Sequence, residues 1–172
     1  MTTPTLRRSS SVRYIIERAL RTASAVSIPC PLGYLEFSDI PSSTGGTTEQ
    51  ERHADAAWML QCVDRIPETP RAAMLLRMGI LPTPALRALA RQVARYLGPL
   101  LPSDGSNLAA VELALLRAAD QPGTALPFIC KALCKRRSET IDWVILVHQL
   151  LDNLAAPAEQ QLDDELTKKG WL

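Results

Sequence analysis

The chain has 172 residues, of which 47% are hydrophobic, 22% are charged and 5% are aromatic, so it is long enough to bury one ordinary core. Leucine and alanine are abundant whereas valine and isoleucine are sparse, which favours helices packed by aliphatic side chains over a sheet. The net charge of +1 excludes a strong global field, so any nucleic-acid contact has to come from a local basic patch. We therefore predict an all-α, multi-helix fold.

The first predicted helix lies in SSVRYIIERALRTAS, where apolar residues recur at helical spacing and Ser10 or Ser11 can cap the N-terminus. These apolar residues are Val12, Ile15, Ile16 and Leu20. The opposite face carries Arg13, Arg18 and Arg21, which are candidates for contacts with phosphates or RNA.

A segment rich in proline, glycine and serine follows from Ser27 to Gly46 and interrupts any helix. We predict a long loop or extended arm here, and we assign residues 1–46 to the first helix together with this arm. Long ordered loops often carry function, so the part from Ile28 to Gly46 is a candidate surface for a protein partner.

Three helices are predicted in the middle of the chain. TTEQERHADAAWMLQCVDRIP predicts a helix that ends before Pro67. ETPRAAMLLRMGI predicts a second helix with Thr69 as the N-cap and Gly79 just past its end. TPALRALARQVARYLG repeats this pattern, with Thr83 as the N-cap and a glycine as the stop. We assign residues 47–98 to a helical subdomain.

The C-terminal part begins after GPLLPSDGS, residues 98–106, which predicts a connector at a subdomain boundary. Beyond it, NLAAVELALLRAAD predicts a helix capped by Asn107. APAEQQLDDELTKKGWL predicts a separate polar amphipathic helix that runs to Gly170. We assign residues 99–172 to a C-terminal helical subdomain.

The stretch CKALCKRRSETIDWVILVHQLL sets three consecutive basic residues between two apolar segments. A helix-turn-helix needs a short helix, a tight turn and a second helix whose exposed N-terminal residues lie in the major groove. Ile129, Leu133 and Cys134 can form the apolar face of the first helix, and Arg137 or Ser138 can begin the second. We therefore predict a DNA-reading helix-turn-helix at this point.

The second helix of this motif is predicted to bury an apolar face and to expose a polar one. The buried face consists of Ile141, Val144, Ile145, His148 and Leu151. The predicted DNA-binding residues are Lys135, Arg136, Arg137, Ser138, Glu139 and Thr140. Arginine can hold phosphates or a guanine edge, threonine can contact either, and glutamate can accept a hydrogen bond from cytosine.

RIPETPRAAMLLRMGI, followed later by ICKALCKRRSETIDWVILVHQLLDNL, resembles the promoter-reading fourth region of sigma factors. In those proteins a helix ending in an LRYG-like turn precedes a helix-turn-helix whose second helix starts Ser-x-x-Thr-Val or similar. Ser138, Glu139, Thr140 and Ile141 align with that start. In this register a basic residue among positions 135–137 takes the place of the turn glycine.

The arrangement of the whole chain is similar to phage antitermination proteins of the Q type. VRYIIERALRTAS at the front and AAWMLQCVDRIPETPRAAMLLRMGI in the middle carry this likeness. The resemblance implies a helical bacteriophage regulator with two partners, double-stranded DNA and RNA polymerase. Such a regulator would load at a promoter-proximal site, engage the paused polymerase and let it pass terminators.

Alternatives to this prediction stay open. A basic triplet between two helices also suits a solvated turn, where the cations complement the C-terminal dipole of the preceding helix. A helical protein–protein adaptor would use Trp143, Trp171 and Leu172 as anchors. A simple promoter-binding repressor or activator would share the fold without contacting the polymerase. The segment Met74 to Leu97 is a second candidate helix-turn-helix.

Catalytic and cofactor-binding chemistry has little support in the sequence. The GxSxG, Walker A, HExxH and GxGxxG motifs are absent, so we predict no enzyme activity. Cys130 and Cys134 lie four residues apart, but His53 and His148 form no ligand-spaced pair, so we predict neither a metal nor another cofactor. The cysteines are expected to be reduced and mostly buried thiols.

Membrane association is not expected. No apolar run reaches the length needed to span a bilayer. MTTPTLRRSSSVRYIIERAL also lacks the uninterrupted apolar core of a signal peptide. A cytoplasmic location follows as the expectation.

Overall fold

The computed structural model describes residues 4–25, 49–102 and 107–171, and every regular element within those ranges is a helix. The helices are α1 (Pro4–Ala25), α2 (Glu49–Asp64), α3 (Glu68–Met78), α4 (Thr83–Leu97), α5 (Leu108–Ala118), α6 (Leu126–Leu133) and α7 (Arg137–Lys169), with a short 3-10 turn at Gly98–Leu100. The all-α prediction is confirmed. The predicted arm, residues 27–46, lies outside the described residues.

The chain divides into two compact units. One combines Met1–Ile66 with Gln161–Leu172, and the other is Pro67–Gln160. This division differs from the predicted segments 1–46, 47–98 and 99–172. The physical reason is that the end of α7 packs with the N-terminal helices, a long-range contact that local patterns along the chain do not encode.

The first unit is built on the packing of α1 against α2. Its buried side chains include Val12, Ile16, Leu20, Met59, Val63, Leu162 and Leu166. At its C-terminal end the ring of Trp171 meets the ring of Trp58 edge to face, with centroids 5.2 Å apart. Helix α1 begins at Pro4, so the prediction that it is capped at Ser10 or Ser11 is wrong. Proline suits a first helical position, and no helix-breaking residue follows it before Ser10.

In the second unit, helices α3, α4 and α5 pack against one another, and α6 packs against α5. Five consecutive residues of α3, from Ala72 to Leu76, are buried, and so is Met78. Five consecutive buried residues cover more than one full turn, so the other helices of this unit surround the central part of α3. Helices α4 and α5 and the first part of α7 therefore direct their apolar faces toward this unit's core.

The helices of the second unit begin and end mostly at prolines, glycines and an asparagine. Asn107 caps α5 as predicted, since its side-chain oxygen accepts hydrogen bonds from the backbone N–H groups of Ala109 and Ala110. Gly79 ends α3 as predicted, in the left-handed conformation with φ +63°.

The predicted threonine caps of α3 and α4 are wrong. Pro67 and Pro82 occupy the N-cap positions instead, and their carbonyl groups accept the first helical hydrogen bonds. The backbone of each proline is extended, which suits an N-cap. Thr69 lies within the first turn of α3, and the Thr83 hydroxyl donates to Gln121 Oε1 at 2.8 Å rather than capping α4.

Helix α7 runs for 33 residues, so the prediction of a separate helix beginning at Ala156 is wrong. Pro157 lies inside it and lacks the N–H that would bond to the carbonyl of Asn153. Buried Leu151, Ala155 and Ala158 on either side of the proline keep helical spacing. Burial of this face compensates for the missing hydrogen bond, and the helix continues.

A partly buried ion cluster joins α3 to α7 within the second unit. Arg77 Nη1 donates to Glu159 Oε1 at 2.8 Å, and Arg77 Nε lies 3.2 Å from Asp152 Oδ1. Burial raises the pKa of Glu159, and the nearby Arg77 guanidinium lowers it by a smaller amount. Desolvation of the carboxylate therefore outweighs its attraction to Arg77.

Replacing Arg77 with methionine should reduce the free energy of unfolding by about 1 to 2 kcal/mol at pH 7, because Glu159 then carries a partly buried charge without its cation. The folded-state pKa of Glu159 is raised above its ordinary value, so protonation relieves this cost. The loss of stability should therefore have its full size at pH values above this raised pKa, and it should become smaller as the pH falls to about 4. Urea denaturation at both pH values measures it.

Arg91→Met is the matched control for this experiment. Arg91 pairs with Glu112 at 3.3 Å, but its side chain is 65% exposed. Its replacement should change stability by less than about 0.5 kcal/mol at either pH. A loss in Arg77→Met that is equal at pH 7 and pH 4 would contradict the assigned role of Glu159.

Candidate nucleic-acid interface

A connection of three residues, Cys134 to Arg136, joins α6 to α7. Cys134 adopts the left-handed conformation, with φ 53° and ψ 34°. Its N–H donates to the carbonyl of Lys131 at 3.4 Å, and the N–H of Lys135 donates to the carbonyl of Cys130 at 3.3 Å. These two bonds form a Schellman motif, in which the left-handed residue is usually glycine.

The turn position that favours glycine is therefore Cys134, and the prediction that a basic residue at 135–137 takes it is wrong. Cys134 is also exposed, so it does not belong to the apolar face of α6. Ile129 and Leu133 do lie on that face and are buried, as predicted. The left-handed conformation turns the Cys134 side chain away from the helix face, which the 3.6-residue spacing could not reveal.

Thr140 is fully buried, so the prediction that it faces DNA is wrong. Its hydroxyl donates to the carbonyl of Arg136 at 3.0 Å, and its own backbone N–H donates to the same carbonyl. The hydroxyl is thus satisfied inside the core without a polar partner from another helix. Thr140 anchors the first turn of α7 instead of reading bases.

The buried face of α7 differs in part from the predicted one, because Thr140, Trp143 and Val147 are buried in place of Ile141, Ile145 and His148, whereas Val144 and Leu151 are buried as predicted. Its buried members are Thr140, Trp143, Val144, Val147 and Leu151. Ile141 and Ile145 were predicted to be buried and are instead 40% and 50% exposed. His148, also placed on that face, is half-buried, and its Nε2 lies 3.0 Å from the carbonyl oxygen of Ala114. The four-residue spacing of Ile141 and Ile145 favoured the predicted face, and the polar groups of Thr140 and Trp143 favoured their placement at the surface.

Four of the six predicted DNA-binding residues lie together in the exposed first turn of α7 and just before it. They are Arg136, Arg137, Ser138 and Glu139. Lys135 is half-buried and already takes part in a polar or electrostatic interaction within the protein, so it is not grouped with these four. We call the four exposed residues the α7 entry.

The electrostatics of the α7 entry favour an anion. The first hydrogen bond of the helix is made by the N–H of Thr140, so the preceding N–H groups point out of the helix end. The positive end of the helix dipole adds to the charge of the two arginines. Glu139 offsets part of this charge but offers an acceptor suited to an amino group on a base edge. Phosphates and base edges are therefore the ligands that this arrangement suits.

The three candidate arginines of α1 are all exposed. Arg21 forms an ion pair with Glu17, one turn earlier on the same helix. This ion pair partly neutralises the charge of Arg21. Among the described residues, no ion pair joins Arg13 or Arg18 to an acidic residue of α1. These arginines belong to the first unit, and the α7 entry belongs to the second.

A basic ridge on α4 is a feature that the sequence analysis missed. Arg87, Arg91 and Arg95 are exposed at intervals of four residues, and α4 contains no acidic residue. One turn of helix separates successive members, so the three guanidinium groups share one face. The signal was present as the four-residue spacing in RALARQVAR. This ridge belongs to the second candidate helix-turn-helix, in which residues 79–82 connect α3 to α4.

Cysteine and histidine side chains do not assemble into a site within the described residues. No three His, Cys, Asp or Glu groups there lie close enough together to hold a metal ion. Cys62 is buried, and its pKa is raised first by burial and then by the carboxylate of Glu165. Cys30 lies outside the described residues. As for membranes, each helix of the described part is too short or too polar to cross a bilayer.

The observed buried face of α7 predicts opposite outcomes for two neighbouring substitutions. Thr140→Asp should reduce the free energy of unfolding by several kcal/mol, because it places a carboxylate in the core. Ile141→Asp should change it by less than about 0.5 kcal/mol, since the side chain is exposed. Chemical denaturation of both variants measures the difference. The reverse order would mean that the face predicted from the sequence is the buried one.

Cys134→Gly should raise the free energy of unfolding by about 0.5 kcal/mol, because glycine adopts the left-handed conformation without steric cost. Ala132→Gly, inside α6, is the matched control and should lower it by about 1 kcal/mol. Urea denaturation of the two variants measures the contrast. If both substitutions destabilise the protein equally, residue 134 is not the left-handed turn position.

Comparisons with known proteins assign no family to this geometry. No model of a protein family matches the chain, and no curated protein or solved structure matches it. The resemblance to sigma factors and Q-type antitermination proteins stays a prediction, carried by the residues quoted for it.

Proposed function

We propose that the chain is a DNA-binding transcription regulator in which α6, the turn and the α7 entry engage duplex DNA. The observation that carries this proposal is the grouping of Arg136, Arg137, Ser138 and Glu139 in one exposed turn at the positive end of a long helix. Thr140 is buried directly behind them. A recognition helix has the same arrangement, with a buried residue that holds its first turn and polar residues on its exposed side.

Phosphates and bases engage different members of the α7 entry under this proposal. Arg136 and Arg137 hold backbone phosphates, where charge-assisted hydrogen bonds and counterion release supply affinity. Ser138 and Glu139 lie in the first turn and reach base edges. Ile141 replaces Thr140 as the next residue on the exposed side, and its aliphatic chain suits the methyl group of thymine.

The finer assignment, antitermination through RNA polymerase, rests on the resemblance to Q-type proteins. Under this assignment DNA binding positions the regulator near a promoter, and a second surface contacts the paused polymerase. A transcription assay with a terminator downstream of the preferred DNA site tests it. Readthrough that needs this site supports antitermination, whereas a change in initiation alone indicates a simple repressor or activator.

A helical adaptor is the second candidate function, and one observation favours it. Ile141 and Ile145 form an exposed apolar pair one turn apart on α7. Trp143 is buried and is not available as the anchor that the sequence suggested, while Leu172 lies outside the described residues. An adaptor would therefore use the isoleucines, and it would show no sequence preference in DNA binding.

Selection of bound fragments from a random DNA pool, at two salt concentrations, provides the first test of DNA reading. Enrichment of a common sequence supports the regulator, and its absence favours the adaptor. The preferred site then serves as the probe for variants.

Replacing Arg136 and Arg137 together with alanine should weaken binding and lower the magnitude of the salt slope by about two, because each arginine holds one phosphate. The fold should survive, since both side chains are exposed. Fluorescence anisotropy over a salt series measures the slope.

Arg87→Ala combined with Arg91→Ala is the matched control for this double variant. It removes the same charge from the basic ridge of α4, which lies in the same unit. An unchanged slope in this control assigns the contact to the α7 entry. A slope reduced in the α4 control and unchanged in the Arg136/Arg137 variant would transfer the proposed role to the α3–α4 pair.

A further inference from the structure

The first unit contains an open cavity of about 340 Å³ between α1, α2 and the C-terminal Trp171. This volume lies at the small end of the range of small-molecule sites. Nothing in the proposed DNA interface uses this cavity, because the α7 entry belongs to the other unit. The lining of this cavity is therefore independent of the proposed DNA interface.

The floor and walls of the cavity suit a flat apolar body. Met59 is fully buried at the floor, and Ala19 and Ala56 beside it are nearly so. Tyr14 and Trp171 supply aromatic rings, and the Tyr14 side chain is 64% exposed. A large aromatic side chain left open beside an apolar cavity gains most from a partner that stacks on it.

Contacts within the first unit hold Trp171 in place. Its backbone N–H donates to the carbonyl of Leu166 at 2.9 Å, in the turn that Gly170 makes at φ +75°. Its ring and that of Trp58 form a T-shaped pair, and Lys169 Nζ lies 5.6 Å from its ring centre. A wall fixed in this way loses little conformational entropy when a ligand binds.

The rim of the cavity favours an anionic group. Arg18 lies one turn after Tyr14 on α1, so a ring stacked on the tyrosine brings its substituents close to this guanidinium. Arg52 adds a second guanidinium from α2. The one carboxylate of the lining, Asp55, lies 3.8 Å from Lys169 Nζ, which compensates its charge. The lining thus contains two guanidinium groups and one carboxylate.

We propose that this cavity binds a nucleoside monophosphate unit, with the base between the aromatic walls and the phosphate at Arg18. The ligand class follows from the combination of aromatic rings, guanidinium groups and a volume suited to one nucleotide. The unit can be a free nucleotide or the end of a single strand, since both present the same ring and phosphate.

Titration of the full chain with AMP, adenosine and inorganic phosphate tests this proposal, with binding measured by calorimetry and by tryptophan fluorescence. AMP should bind at least about tenfold more tightly than either fragment, because it alone engages both the rings and the cation. Binding of phosphate that equals binding of AMP, or no binding of AMP, would overturn the proposal. A 5′-phosphorylated pentanucleotide that binds more tightly than AMP assigns the site to a strand end, and an equal or weaker affinity assigns it to a free nucleotide.

Two exposed positions allow variants that keep the fold. Tyr14→Ala should weaken AMP about tenfold, and Tyr14→Phe should retain its affinity, because stacking needs the ring and not the hydroxyl. Arg18→Gln should weaken AMP about tenfold while leaving adenosine unchanged, because only AMP carries the phosphate. Arg13→Gln, on the same helix but outside the lining, is the matched control.

The results separate this site from the DNA interface. The variant with alanine at positions 136 and 137 should retain AMP affinity, since it alters the other unit. AMP binding that is unchanged in both Tyr14→Ala and Arg18→Gln would overturn the assignment of the cavity, whatever the outcome of the DNA experiments.

Discussion

Burial of Thr140 is the constraint on which the candidate interface depends. A hydroxyl can enter a core only when it is hydrogen-bonded, and here the carbonyl of Arg136, one turn earlier, accepts that bond. The bond lies within the helix end itself, so it holds the start of α7 without help from a neighbouring helix. With Thr140 inside, Ser138 and Ile141 lie toward the outer side of the helix, and Arg137, at the helix end, is exposed as well.

Charge is distributed differently in the core and at the surface of the second unit. Arg77 is partly buried between Asp152 and Glu159, where its charge offsets the cost of desolvating a carboxylate. Such an arginine serves stability and is poorly placed for a ligand. The arginines of the α7 entry and of the α4 ridge are exposed, so binding a polyanion does not require breaking a buried ion pair.

The two proposals call on different physics in different units. Under the first proposal, charge and the helix end at the α7 entry supply affinity for phosphates, and recognition of sequence needs base edges. Under the second proposal, the ring of Trp171 at the cavity of the first unit supplies stacking, and Arg18 adds a charge. Salt should therefore weaken the first interaction more steeply than the second, because more counterions are released from a duplex than from one nucleotide.

Local patterns were sufficient for the helical class, for the Asn107 cap and the Gly79 stop, and for the start of α7 at Arg137, since each depends on neighbouring residues. Spacing could not decide which face of α7 is buried, because the predicted face and the observed one both present aliphatic side chains. It also could not reveal that residues 161–172 join the N-terminal helices. The sequence by itself thus determined where most helices lie and where basic residues gather. Tertiary packing alone decided which of those residues meet solvent and which walls enclose a cavity, because burial depends on contacts between segments far apart in the chain.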